Sequence, residues 1–440
     1  QLSLHRVGLD TPSSVLTVDG GLDLLDATIE GDGKIHLNGP GSYVVGSGVL
    51  RNQAILGGTG QLNMDQLELD SGTAIRVEGN ESLDVMGTLI HGNGEIEVRD
   101  GGQMDLDCRT EINGPIHVRD GGTLNVGNAT ILSDGIEVES GNVYVNHGTF
   151  ADLSGGESGM VGLRHGSQGP SLLQVDAGVC HVGTLEAERM SSVTVKEGAE
   201  LHVGHLGFNE DADFLVEGDA VAWERDGMAP RWERTGGMGG HIRLHGGRLR
   251  DDGASDFECD LSIRGHGRLS TTSMRLGNEL HAENGVLELT PGSGVFLEGY
   301  DAFVAEDAEL YVNQAVMNGP GGSTEVLVSG TLRLKDAWLD DLHVRVGEAG
   351  MDPNGEMPPS GSFAQLIAAG DNALDGVFVE VNGSGRAEVG SGSTCAGRTW
   401  ANHGVTEILA GGELSTGLWP RSGKFYNTGT VAVAGRLEVV

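Results

Sequence analysis

The sequence predicts an all-β chain wound as a right-handed parallel β-helix, a β-solenoid of about twenty coils with loop excursions, because one short unit keeps restarting. Three observations carry this. Ile75-Arg-Val77, Ile96-Glu-Val98, Ile116-His-Val118 and Ile136-Glu-Val138 begin 21, 20 and 20 residues apart. Each is followed by a Gly-rich turn and a second alternating strand: Leu83-Asp-Val85, Met104-Asp-Leu106, Leu124-Asn-Val126 and Val143-Tyr-Val145. Hydrophobic residues make up 38% of the chain, and the 75 glycines show no three-residue period, which excludes collagen and supplies tight turns. A unit this short cannot enclose a core of its own, so the copies must stack.

Residues 1–206 read as regular coils. Ile29-Glu-Gly-Asp-Gly-Lys-Ile35, Leu56-Gly-Gly-Thr-Gly-Gln-Leu62 and Ile90-His-Gly-Asn-Gly-Glu-Ile96 each describe a strand, a Gly-x-Gly corner and a new strand. Alternation puts the apolar partners inside and His36, Asn63, Glu97, Asp105 and Asn125 outside. Asp-Gly-Gly at 100–102 and 120–122 marks another corner. After a loop-like interval at 151–171 the rhythm returns with Val175, Val195 and Val216. Residues 207–257 read as an irregular excursion, centred on Trp223-Glu-Arg-Asp-Gly-Met-Ala-Pro-Arg-Trp232-Glu-Arg234. Coils resume over 258–440, with a Pro-rich loop at 351–361.

The charge balance narrows the function classes. Lys plus Arg is 27 against 64 Asp plus Glu, a net charge of −37. A field of that sign repels phosphates, so no nucleic acid is expected as partner, while solubility and divalent cations are favoured. No apolar run is long enough for a membrane span. The opening at Gln1, without a basic and apolar leader, reads as a mature exported chain, secreted or at the cell surface. Cys108, Cys180, Cys259 and Cys395 are several coils apart. Coils rise about 4.8 Å each and a disulfide needs Cα atoms within about 7 Å, so buried thiols are expected.

Enzyme signatures are sought because parallel β-helices also host polysaccharide hydrolases and lyases. Asp251-Asp252 and Asp340-Asp341 offer paired carboxylates, and Arg264-Gly-His266-Gly267 and Arg333-Leu-Lys335 match fragments of polygalacturonase-like motifs. The Asn-Thr-Asp and Gly-Asp-Asp motifs of that family are absent, so no catalytic residue is assigned and the chain is read as a non-enzyme. For metals, Asp100 and Asp120 hold equivalent places in consecutive coils, as do Glu97 and Glu137 two coils apart. Aligned like charges would be relieved by a structural Ca²⁺, and no other cofactor is expected. The histidines are scattered along strands and form no metal motif.

Gly429-Thr-Val-Ala-Val433-Ala-Gly435-Arg-Leu437-Glu-Val439 and the strand-plus-glycine corners of 29–145 resemble the repeats of secreted bacterial parallel β-helix proteins. The groups are autotransporter passenger domains and planctomycete-type extracellular repeat proteins. That resemblance implies adhesins, stalks and surface-layer parts, and transfers no catalytic residue. With the last strand left without a polar tail, the reading is a structural extracellular protein that associates head to tail with its own copies. Its contact residues are expected at Val15, Leu16 and Val18, at Val431, Val433, Leu437 and Val439, and at Trp223, Arg231, Trp232 and Arg234. The alternative is a surface adhesin that holds a glycan on its acidic face or its Trp-bearing loop.

Overall fold

Strand register, more than composition, organises this molecule. The computed structural model describes residues 2–133, 135–151, 159–209, 211–224, 228–236, 240–253, 256–320, 324–347, 364–416 and 424–439. Among them there is no helix; the strands stack in parallel as a β-solenoid of about 18 turns. The chain divides into two compact units, Gln1–Gly227 with Arg234–Gly240, and Met228–Glu233 with His241–Val440.

In the first unit the repeated residues become hydrogen-bonded neighbours. Ile75 pairs with Ile96, Ile96 with Ile116, Ile116 with Ile136, and Ile136 with Val161. The second strand behaves likewise, through Leu83, Met104, Leu124, Val143, Leu173 and Val193. All of these side chains are buried. A third column, not evident in the sequence, runs through Leu67, Ile90, Thr110 and Ile131. It follows a register shift at Met86–Leu89 and again at Val126–Thr130, where the second face bends into the third. The Gly-x-Gly corners close each turn: Gly31 and Gly92 have φ of +119° and +120°. At the other corner Asp100 and Asp120 join their glycines in the left-handed region, with φ of 54° and 49°.

The second unit builds the same way with longer turns. One inward column reads Ile242, Ile263, Leu280, Ala302, Val326, Val344, Val379 and Trp400. Trp400 is buried at the coil centre, where its indole N–H donates to Thr406 Oγ1 at 3.3 Å. An apolar column sealed at every level is what each coil obtains by stacking.

Two expectations need correction. The interval 151–171 holds a strand, Met160–Arg164, in register with Ile136–Glu139; Gly162 occupies an alternating position and hides the pattern. The stretch 207–257 does not leave the stack over its described residues. Asp213–Val216 pairs with Ser192–Val195, and Asp219–Ala222 with residues 200–203. Within the second unit Arg231 and Trp232 pair with Glu258 and Cys259. The Pro-rich loop expected at 351–361 lies outside the described residues.

Candidate functional site

The residues expected to make contacts divide sharply. Trp232 is fully buried, with its ring centroid 5.0 Å from that of Phe257 at an angle of 77°. That corrects its reading as a surface anchor: Trp232 alternates with the exposed Arg231 and so points inward. Arg231 Nε lies 2.8 Å from Glu233, and Arg234 is exposed. Trp223 is half-buried against a pair of histidines, 5.3 Å from His181 and 6.3 Å from His202. Trp223 and Trp232 therefore do not form one exposed Trp-bearing loop.

The strands at 15–18 and 430–439 are far more open than the coils they stack on. Val15 is 55% exposed, Leu16 is half-buried and Val18 is buried. Val433 is 48% and Val439 54% exposed, while Val431 and Leu437 are half-buried. Their ladder partners one coil inward, Ile408 for Val433 and Leu414 for Leu437, are sealed.

The outward columns explain how so acidic a chain stacks. Arg76, Glu97, His117 and Glu137 follow one another in register. Arg76 Nε is 2.5 Å from Glu97, and His117 Nδ1 is 3.2 Å from Glu137. Glu97 and Glu137, one of the two like-charged pairs that suggested a cation, are thus separated by His117, and Arg76 pairs with Glu97 across the strands. Glu78 with Arg99, Glu309 with Arg333, and Glu407 with Arg386 repeat the device at 2.7 Å each. Asp100 lies 3.5 Å from Arg99 and more than half of its side chain is exposed; Asp120 accepts from Ser167 at 3.4 Å. Among the described residues no three His, Cys, Asp or Glu side chains converge on a metal-sized site.

The carboxylates weighed for catalysis have other surroundings. Asp251 is buried and accepts from the backbone N–H of Thr272 at 2.7 Å and its hydroxyl at 3.2 Å. His266 is half-buried, its ring 5.1 Å from that of His245. All four cysteines are buried free thiols. Burial pushes Cys108 up to about 11, and Cys259 and Cys395 to about 12; Cys180 is raised for the same reason. Protonated and enclosed, such thiols are inert. Ellman's reagent at pH 8 is therefore expected to label none of the four in the native protein and all four in guanidinium chloride. A rapid native reaction would place at least one thiol at the surface.

One lateral feature was missed by sequence reasoning. In the second unit an open groove of about 510 Å³ is lined by Asp256, Arg275, Phe296, Glu298 and Asn318, among others. It lies on an outward sheet face where Arg275, Phe296, Asn318, Asp340 and Asp375 are register partners in successive coils. Beside them runs a second outward row: Gly294, Val316, Trp338 and Ala373. Trp338 is 51% exposed. The inward neighbours Val295, Met317, Leu339 and Leu374 are buried and fix the orientation of both rows. The only sequence signal was an apolar or aromatic residue standing at outward strand positions.

No family model and no curated protein matches this chain. Among solved structures, the crystal structure of a TibC-catalyzed hyper-glycosylated TibA fragment aligns over 99% of this chain and 98% of that chain. The two are 12% identical, with a TM-score of 0.24. That pairing assigns neither family nor activity.

Proposed function

We propose that this protein is a structural, extracellular β-solenoid that adds coil to coil with further copies of itself. One observation carries the reading: inward strand positions are sealed by in-register contact with the next coil, as Ile408 is by Val433 and Leu414 by Leu437. The same in-register stacking that buries every inner column would bury Val433, Leu437, Val439 and, at the first strands, Val15. The role is mechanical. Main-chain ladders run from coil to coil, and the interleaved Arg–Glu columns hold neighbouring coils while the net acidity of the surface opposes lateral clumping. Location outside the cell belongs to the same proposal, supported by the repeat resemblance and the acidic surface.

Sedimentation velocity and negative-stain imaging over a wide concentration range decide the matter. Growth of linear species is expected, and Val433→Asp with Val439→Asp should abolish it. A protein that stays monomeric at every concentration, and behaves identically with both substitutions, would not be a polymer subunit.

A further inference from the structure

Phe296 and Trp338 are not isolated surface aromatics. Phe296 stands in the polar row, yet a Cβ built on Gly294 would meet its Cε2 at 3.6 Å. The ring therefore lies back over the glycine and fills the apolar row at that level. A Cβ at that distance would only touch the ring; what it would crowd is the carbonyl oxygen of Thr272, at 2.9 Å. The apolar row then reads, coil by coil, Phe296 ring, half-buried Val316, Trp338 indole and Ala373. Two rings stand two coil rises apart, each rise about 4.8 Å. Alongside runs a row of planar polar groups: Arg275, Asn318, Asp340 and Asp375.

The groove end of this face has unspent hydrogen-bonding capacity. Arg275 sits between Asp256 and Glu298 at 3.8 and 3.6 Å, and all three side chains are more than half exposed. Those separations exceed direct hydrogen bonds, so a hydroxyl or water can bridge them. Guanidinium, carboxylate and amide groups in one row offer donors and acceptors in a plane, beside a surface that asks for an apolar face. The opening, about 510 Å³, falls within the about 300–1,000 Å³ of small-ligand sites.

We infer that the face carrying Phe296 and Trp338 binds an extended, neutral, β-1,4-linked polysaccharide. The ligand chemistry follows from the two rows. A pyranose has an apolar C–H face to lay on an aromatic ring and an equatorial rim of hydroxyls to meet the planar polar row. Two coil rises match the two-sugar unit of an extended β-1,4 chain, so alternate sugars would stack on Phe296 and Trp338. Four carboxylates, Asp256, Glu298, Asp340 and Asp375, and a chain charge of −37 oppose an acidic polymer. Binding here is independent of end-to-end assembly: the face is lateral and needs a single copy.

Isothermal titration of the whole protein with cellotetraose, chitotetraose and mannotetraose should show saturable binding of at least one of them. Maltotetraose, of the same composition as cellotetraose but curved, and trigalacturonate, which is acidic, should bind at least about tenfold more weakly. Phe296→Ala and Trp338→Ala should each weaken the best ligand by about tenfold or more, and Asp256→Asn with Glu298→Gln by a similar factor. Circular dichroism and thermal melts of the variants establish that the coils remain folded. The inference is overturned if none of the three β-1,4 tetramers binds, or if the curved or acidic ligand binds as well. Affinity unchanged in both aromatic variants would also overturn it.

Discussion

Trp232→Ala is expected to cost about 3–5 kcal/mol of stability, the range for removing a large aromatic from a packed core. The side chain has no exposed surface, and its ring meets the edge of Phe257 at 5.0 Å. Its strand neighbour one coil on is Cys259, also sealed. A coil has few residues with which to refill the space, because its inward positions are fixed by register on both sides. Trp223→Ala supplies the comparison. Trp223 is half-buried and rests on imidazole rings, so its loss should cost about 1 kcal/mol, the common size for a partly exposed site. Denaturant melts followed by circular dichroism would report the difference as a shift in the midpoint of the affected transition. If Trp223→Ala proves the more damaging of the two, the burial assigned to Trp232 is wrong.

The pair also shows what the sequence could and could not disclose. Where the unit is about twenty residues and strand positions are Ile, Val or Leu, counting along the chain gives the register directly. Ile75, Ile96, Ile116 and Ile136 are spaced and paired as counted. Around Trp232 the inward positions are Trp, Phe and Cys, the stretch 223–234 holds Pro230 and three arginines, and no period survives. Composition there looks like a surface loop, although alternation within Arg231-Trp232-Glu233 already points one way. The third strand column was hidden for another reason. Its inward positions include Thr110, whose hydroxyl lies 3.7 Å from Cys108 Sγ, so an apolar alternation breaks at that level. The lateral face was the least legible feature. Arg275, Phe296, Asn318 and Asp340 follow at 21- or 22-residue steps, but Asp375 comes 35 later. Nothing in the chain announces that Phe296 and Trp338 stand on one face two coils apart. Site chemistry in a solenoid is made across coils, by side chains that are distant in sequence and adjacent only through register.

Gly92→Ala tests the corner that makes those coils possible, and it should be far more damaging than a methyl group added at an open corner. The residue has φ of +120°, where side-chain-bearing residues are strained. A Cβ there would sit 2.2 Å from the carbonyl oxygen of Leu69 in the preceding coil. That oxygen cannot retreat freely. It accepts hydrogen bonds from the backbone N–H of Asn93 at 2.6 Å and of Gly94 at 3.0 Å. Relieving the clash means giving up backbone pairing between two coils, so strain and lost hydrogen bonds add to about 3 kcal/mol or more. Gly79→Ala is the control. Gly79 also has positive φ, +66°, but no heavy atom of the described residues stands within 4 Å of the place its methyl group would take. It should lose only the left-handed penalty, roughly 1–2 kcal/mol. Because each coil contacts only its neighbours, the Gly92 defect should stay local at first. Hydrogen exchange is expected to speed up over residues 69–95 before the rest of the unit responds. Equal losses for the two alanines would mean that conformation alone, and not the approach of one coil to the next, dictates glycine at this corner.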